Sequence, residues 1–341
     1  MEVSLGYIHA CFLWAHEQSN METPWACVRT NFSGVLCLAA VHDSGRTLLF
    51  ATDPLGDFTV AFTLGEQNDQ DHMDAFLHAL KDRGLQAAVV ITDGAPLYKD
   101  SRQRYWAEVE HQLCVFHVMK EVKLILDGVR AIKNRLTRQG NNGRKKRRGR
   151  PTKHAQHRRQ QQKGMSKTEQ ATFLWEHQSL IVRKADDLSE QDQADLALLF
   201  QIAPALQLFR QFNQQLYRLF ETGLTKPCAR ARRARLVSNP LYQANAFLAK
   251  ALKKISKDTC DTMIGFLGWD NGQRTNNHVE RNNRGFRMMQ KTRDNRRTPH
   301  TMAKALELEL YARMMEHPLY PDKISALPVR SQAAAILKRA A

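Results

Sequence analysis

Asp93 is the residue whose sequence setting best suits chemistry on phosphodiesters. It follows an apolar run at 87–92 and precedes Gly94, as expected of a carboxylate where a buried strand emerges. Two or three carboxylates held rigidly at such strand ends can share two Mg²⁺ ions, about 3.5–4 Å apart, that activate an attacking oxygen and stabilise a leaving one. The alternative is a turn-forming Asp-Gly pair, which is common between elements.

Glu280 is a second acidic candidate, in the segment 274–284. Asn277 and Glu280 stand three residues apart, which is also the spacing of a capping box at a helix start. Beyond Glu280, basic residues recur at helical spacing and predict a cationic stripe suited to a DNA backbone. These basic residues are Arg281, Arg284, Arg287 and Lys291.

Cys114 and His117 could begin a zinc site, but no second Cys/His pair at a suitable spacing completes one. The other interpretation is a strand-to-helix junction that supports the acidic site.

Basic residues are concentrated in one part of the chain. Residues 130–163 include fourteen Lys or Arg and no acid, and the net charge of the whole chain is +17. Such an excess predicts a polyanionic partner, because each cation placed on a phosphate releases a counterion. Arg147, Arg148 and Arg150 lie in an Arg-Gly-Arg-Pro segment that resembles an AT-hook, which binds a narrow minor groove. A non-specific phosphate-binding tail is an equally good interpretation.

The order of predicted elements indicates an α/β fold. Turn signals at 43–45 and 53–56 separate three β-rich runs, which read as an antiparallel meander. Helices and strands then alternate, and this order is that of a ribonuclease H-like core, with a mixed sheet flanked by helices and interrupted by an all-α insertion. The predicted parts are a remnant at 1–30, the core at 31–124, the basic arm and insertion at 125–262, core completion at 263–315 and a tail at 316–341. A single long helix is expected over about 277–315.

Composition also limits the compartment. Apolar residues make up 43% of the chain, which excludes a wholly disordered protein, and the six cysteines form no C-x2-C pair. We therefore expect reduced thiols in a bacterial cytoplasm, near the nucleoid. The apolar run at 35–41 is too short to span a bilayer, and the N-terminus does not resemble a signal peptide, so no membrane partner is expected.

Several segments together resemble the DDE-type transposases of bacterial insertion sequences, over roughly residues 31–315. The resemblance is carried by 32–37, 50–55, 90–98, 111–117 and 274–291. It implies the ribonuclease H-like fold of the retroviral-integrase superfamily, with a helical insertion before the last catalytic Glu. It makes Asp93 the second catalytic carboxylate and Glu280 the third, both as metal ligands, and it gives Cys114 and His117 a supporting role.

The same resemblance predicts a first catalytic Asp in the opening strand, where this chain has Ala39. Ala39 cannot bind a metal. Asp43, four residues further on, and Asp53, at the end of the next predicted strand, are surrogate candidates outside the matching position. The segment before Phe32 is also shorter than the terminal DNA-binding module expected of such enzymes, as in a truncated copy.

What the resemblance implies is metal-dependent cleavage and strand transfer at insertion-sequence ends, with Mg²⁺ or Mn²⁺ as cofactor. The partners would be double-stranded DNA, as transposon ends and as target, and further copies of the chain in a homo-oligomer. Because of Ala39 the leading hypothesis is a catalytically impaired transposase. The alternatives are an inactive DNA-binding relic and a structure-specific nuclease, since a fold does not fix its reaction.

Overall fold

A computed structural model describes residues 4–19, 22–43, 46–65, 69–121, 124–142, 164–269, 272–288 and 298–318. The chain divides into two compact units. One comprises residues 1–116 and 271–341, and the other comprises residues 117–270. Arg147, Arg148, Arg150 and Lys291, which the sequence assigns to DNA, lie outside the described residues.

The described residues form fifteen α-helices, joined in places by short 3-10 turns. The helices are α1 Leu5–Glu17, α2 Glu22–Asn31, α3 Gln70–Asp82, α4 Pro96–Tyr105, α5 Val115–Glu121, α6 Leu124–Asn142, α7 Lys167–Glu176, α8 Glu190–Ile202, α9 Ala205–Tyr217, α10 Lys226–Ser238, α11 Pro240–Ala244, α12 Ala246–Lys254, α13 Lys257–Met263, α14 Asn277–Met288 and α15 Pro299–Glu316. The 3-10 turns are Gln178–Ile181, Ala185–Asp187, Arg218–Phe220 and Gly265–Gly268.

The first unit is built on a five-stranded mixed sheet. Its strands are β1 Val35–Asp43, β2 Arg46–Asp53, β3 Phe58–Gly65, β4 Val89–Thr92 and β5 Glu110–Leu113. The spatial order is β3-β2-β1-β4-β5, with the first three strands antiparallel and β4 and β5 parallel to β1. The predicted fold class, an α/β ribonuclease H-like core with a helical insertion, is confirmed.

The sheet has two buried faces because its central strands are apolar at successive positions. On one face, Leu36 and Leu38 of β1 belong to the same core cluster as Met73, Phe76 and Leu77 of α3. The apolar residues of α3 recur at three- and four-residue spacing, so they form the stripe that packs on this face. Cys37 and Ala39 alternate with these leucines and therefore lie on the opposite face, where both are buried. Helix α14 contacts β1 and β2.

The predicted single helix over 277–315 is wrong in the described residues. α14 ends at Met288, and a separate helix begins at Pro299. Thr298 has an extended backbone, and its side chain accepts the N–H of Thr301, so it caps the new helix. Proline at the first helical position has no N–H to lose and a φ suited to a helix start. The two helices therefore have independent beginnings.

The described part of the second unit is entirely helical. Leu206, Phe209, Phe212 and Leu216 form the buried stripe of α9. Reciprocal capping boxes start α7, through Ser166 and Glu169, and α8, through Ser189 and Asp192. Local capping signals and one apolar stripe per helix thus explain why this stretch forms short helices around a core.

Among the described helices, none combines the length and the apolar character that crossing a membrane requires.

Candidate active site

Asp93 directly follows β4 and is half-buried. Its Oδ1 accepts the backbone N–H of Ala95 at 3.0 Å, and Gly94 has a φ of 89°. A side-chain-to-backbone bond over two residues is an Asx-turn, and glycine adopts that φ without strain. The turn-forming role is therefore real, and it fixes the carboxylate at the carboxyl end of β4. The other oxygen, Oδ2, has no hydrogen-bond partner among the described residues.

Glu280 is exposed in the first turn of α14. The helix begins at Asn277, and the Glu280 N–H donates to the carbonyl of Asn276 at 3.3 Å. Asn277 is thus inside the helix and not at its cap, so the pair Asn277–Glu280 does not have the positions of a capping box. A capping role therefore does not account for the presence of Glu280 at this position.

Tyr98 links the two acids. It is buried in the first turn of α4, and its hydroxyl has no hydrogen-bond partner among the described residues. Burial raises the pKa of Tyr98 well above its usual range, and the charges of Asp93 and Glu280 raise it further. Both carboxylates are therefore close enough to act electrostatically on one phenol, although 187 residues separate them in the chain. No sequence signal singles out Tyr98, which lies in the segment 90–98 that carries the family resemblance.

Ala39 occupies a position in the sheet next to this group. In the parallel pairing of β1 and β4, Cys37 lies opposite Ile91. Continuing that register by two residues brings Ala39 level with Asp93, and level residues of parallel neighbours point to the same face. Ala39 is 3% exposed, so its methyl group is packed and not facing solvent.

Asp53 is fully buried and its carboxylate is held on both oxygens. Oδ2 accepts the N–H of Ser33 at 2.7 Å. Oδ1 accepts the Ser33 hydroxyl at 2.8 Å and the N–H groups of Leu55 and Gly56 at 2.9 Å each. This arrangement ties the β2–β3 turn to the start of β1, which is the role of a structural carboxylate.

Asp43 is the last residue of β1 and pairs with Arg46 at the hairpin to β2. Four residues separate it from Ala39, and a strand rises roughly 3.3 Å per residue, so the two positions are about 13 Å apart along β1. The backbone of Asp43 is therefore remote from the level of Asp93.

Cys114 is buried and directly follows β5. It contacts the residue that precedes α14. Its sulfur accepts the N–H of Asn276 at 3.4 Å. Burial raises the pKa of the Cys37 thiol, and the charges of Cys114 and Asp53 contribute, so these groups lie near one another under α14. His117 is half-buried in α5, which begins just after Cys114, and is counted with the second unit.

A contact that the sequence did not predict anchors α14. His278 is buried, and its Nε2 lies 2.8 Å from Oδ1 of Asp57. Arg281 donates to the same oxygen at 3.2 Å. Asp57 has a φ of 56°, in the left-handed region that aspartate tolerates better than most residues. The partners are more than 200 residues apart, and no sequence spacing signals their contact.

Three of the four residues of the predicted basic stripe are described, and they lie on α14. Arg281, Arg284 and Arg287 are exposed. Of these, Arg281 is already paired with Asp57. In the second unit, by contrast, Arg230 and Arg232 of α10 form ion pairs with Asp261 and Glu221. These two arginines are therefore partly neutralised within their own unit.

A bound divalent metal would require more ligands than converge here. The described residues contain no group of three or more His, Cys, Asp or Glu that could hold a metal ion. Asp93 and Glu280 supply the oxygen donors that Mg²⁺ prefers, but the third position at this edge of the sheet is Ala39. The residues present do not fit a complete metal site of the two-metal type.

Comparison with known proteins identifies the family. No curated protein matches the chain. A family model described as Transposase, for DDE transposases of the ISL3 group, matches residues 45–293, a range that includes Asp93 and Glu280 and begins after β1. Since this match covers more than two thirds of the chain, the protein belongs to the DDE-type transposases of insertion sequences.

Proposed function

We propose that this transposase binds DNA but is impaired in metal-dependent cleavage and strand transfer. The observation that best supports this proposal is the parallel register of β1 with β4, which brings Ala39 level with Asp93 when it is continued two residues past the pair Cys37–Ile91. Members of this family generally use a divalent metal. When bound, such a metal activates the attacking oxygen and stabilises the leaving oxygen of the phosphodiester.

Asp93 and Glu280 are the residues proposed to hold the metal. The effect of both charges on the pKa of Tyr98 supports this assignment, as does the carboxylate oxygen of Asp93 that is left outside its turn. Two carboxylates alone give a divalent ion few protein ligands, so we expect weak Mg²⁺ or Mn²⁺ binding. No catalytic step is assigned to the chain as it stands.

Neither surrogate acid is proposed to replace the missing Asp. Both oxygens of Asp53 are engaged in four hydrogen bonds, and freeing one would break the contacts that hold the β2–β3 turn and the start of β1. Asp43 lies too far along β1 from the level of Asp93. Cys114 and His117 are proposed to support the site and not to bind the metal, Cys114 through its contact with Asn276.

The proposed partner is double-stranded DNA, as insertion-sequence ends and as target. The exposed arginines of α14, Arg284 and Arg287, support phosphate contacts next to Glu280. Arg281 is proposed to share its charge between Asp57 and the DNA. Arg147, Arg148, Arg150 and Lys291 are proposed as further contacts from the sequence alone. Residues 125–262, the predicted basic arm and all-α segment, are proposed as the insertion of the core, and a homo-oligomer is proposed because two ends must be brought together.

The decisive experiment compares the wild type with Ala39→Asp. DNA carrying the flanking ends of the insertion sequence is incubated with each protein and with Mg²⁺ or Mn²⁺, and cut and joined products are separated on a gel. We expect no joined product from the wild type and a metal-dependent product from Ala39→Asp. Adding Glu280→Gln to Ala39→Asp should abolish that product.

Robust joining by the wild type would overturn the impairment. If neither protein yields a product while both bind the ends, DNA binding without catalysis is the function that remains. Products that are cut but never joined would favour a nuclease.

A further inference from the structure

Trp175 is an exposed indole in the last turn of α7, within the second unit. It is 42% exposed, whereas its neighbour Leu174 is fully buried. The apolar side of α7 is thus already satisfied by Ala171 and Leu174, and Trp175 points away from that side. The exposed part of this indole has apolar area available to a ligand.

Two cations of α6 lie over this ring. The guanidinium carbon of Arg130 is 5.9 Å from the ring centroid, and Nζ of Lys133 is 5.4 Å from it. Both distances are in the range of cation–π contacts. Arg130 also forms an ion pair with Asp127 at 2.9 Å. Among the described residues, no ion pair involves Lys133. The result is a partly exposed indole with positive charge over its ring.

The sequence between α6 and α7 is strongly basic. α6 and α7 pack together, and the chain that joins them, residues 143–163, has ten Lys or Arg and no Asp or Glu. An acidic protein partner would explain the positive charge, and an apolar partner would explain the exposed indole. A nucleic acid explains both. Bases stack on aromatic rings while their phosphates attract cations.

We propose that Trp175, with Lys133 and Arg130, is a stacking platform for an unpaired base of single-stranded DNA. One base of the strand stacks on the exposed indole, and the flanking phosphates are drawn to Lys133 and Arg130. Because every base has a π-face, this platform discriminates unpaired from paired DNA with little preference for sequence. The proposal concerns the second unit alone and does not depend on the acidic site.

The test uses the full chain and two labelled probes of equal length and charge. One is oligodeoxythymidylate, and the other has the same sugar-phosphate backbone without bases. Dissociation constants are measured by fluorescence anisotropy. The wild type should prefer the thymidylate, and Trp175→Ala should weaken its binding about fivefold or more while leaving the abasic probe unchanged. Trp175→Phe should keep most of the preference.

Trp14→Ala is the matched control, because Trp14 is 43% exposed and lies in the other unit. It should leave both affinities unchanged. Lys133→Gln should weaken both probes to a similar extent, since it removes charge and not stacking. As a second readout, thymidylate should quench tryptophan emission in the wild type and markedly less in Trp175→Phe. This readout decides the matter if Trp175→Ala does not fold.

An unchanged thymidylate-to-abasic ratio in Trp175→Ala overturns the proposal, as does equal quenching in the wild type and Trp175→Phe. An equal loss for both probes also overturns it, because it would make Trp175 a structural support of a purely electrostatic surface.

Discussion

Ala39 of β1 comes level with Asp93, the residue that directly follows β4, when the parallel pairing of Cys37 with Ile91 is continued by two residues. Strands in a sheet lie roughly 4.8 Å apart, so side chains at this level on one face are neighbours. An aspartate at position 39 would therefore carry its carboxylate to within a few ångströms of Asp93. The methyl group of Ala39 leaves Asp93 and Glu280 without that third oxygen donor.

Replacing Ala39 by Asp should make the stability of the protein depend on metal. In EDTA we expect Ala39→Asp to lose about 2 kcal/mol of unfolding free energy, because a buried carboxylate is placed beside another. Mn²⁺ at about a hundred times its dissociation constant should return about 2.7 kcal/mol. Urea unfolding with and without Mn²⁺ measures both effects, and the wild type should respond little.

Ala40→Asp is the control for this experiment. Ala40 packs against the core cluster on the opposite face of the sheet. Its aspartate variant should also be destabilised, but Mn²⁺ should not rescue it. Equal rescue of both variants would show that the metal binds elsewhere.

Asp53 should prove structural. Asp53→Ala removes the buried acceptor of four hydrogen bonds that hold the β2–β3 turn and the start of β1, so we expect a loss of about 3 kcal/mol. Ser33→Ala removes one hydroxyl, which donates to Asp53 and accepts the N–H of Val35, and should cost about 1 kcal/mol. Denaturant unfolding provides the comparison. If Asp53→Ala kept full stability while metal-dependent cleavage disappeared, Asp53 would be a catalytic surrogate after all.

The contact of His278 with Asp57 predicts a pH dependence of stability. Burial lowers the pKa of His278, while the hydrogen bond and charge of Asp57 oppose that shift; Arg281 lowers the pKa and Asp53 raises it. With the folded pKa below the unfolded value of about 6.5, the unfolded state binds the proton first as the pH falls. Stability should be unaffected at pH 7.5 and should fall below about pH 6.5, by up to 1.4 kcal/mol per pH unit.

Unfolding measured from pH 7.5 to 5.5 tests this dependence. His278→Gln should reduce the loss of stability between pH 7.5 and pH 5.5. Asp57→Asn should increase that loss, since Asp57 raises the pKa of His278. A wild type that gains stability relative to His278→Gln as the pH falls would contradict the sign.

The exposed arginines of α14 should contribute to DNA binding through charge. Each phosphate contact contributes about 0.9 to the slope of log affinity against log salt. The double variant Arg284→Gln with Arg287→Gln should reduce that slope by up to about 2 on duplex DNA of any sequence. Arg313→Gln is the control, because Arg313 is occupied by Glu309 and Asn282. An unchanged slope in the double variant would place the DNA elsewhere.

Local patterns in the sequence determined most of the first unit. The apolar runs and turn signals before residue 65 predict β1 to β3, since strand formation there depends on near neighbours. The Asp-Gly after β4 predicts a strand end, and the structure has Asp93 there in an Asx-turn. The long helix over 277–315 was wrong because Thr298 and Pro299 form a cap and a first helical position, a local signal that starts a new helix.

Relations between distant residues were decided by the tertiary structure. The sequence could not show that Asp57 binds His278, that Asp53 is fully engaged, or that Asp93 and Glu280 both act on Tyr98. Such contacts depend on strand register and helix packing, in which a shift of one residue moves every side chain to the other face. The family resemblance of the sequence pointed to position 39, an alanine here, as the place of a first catalytic Asp. Only the pairing of β1 with β4 placed that alanine beside Asp93.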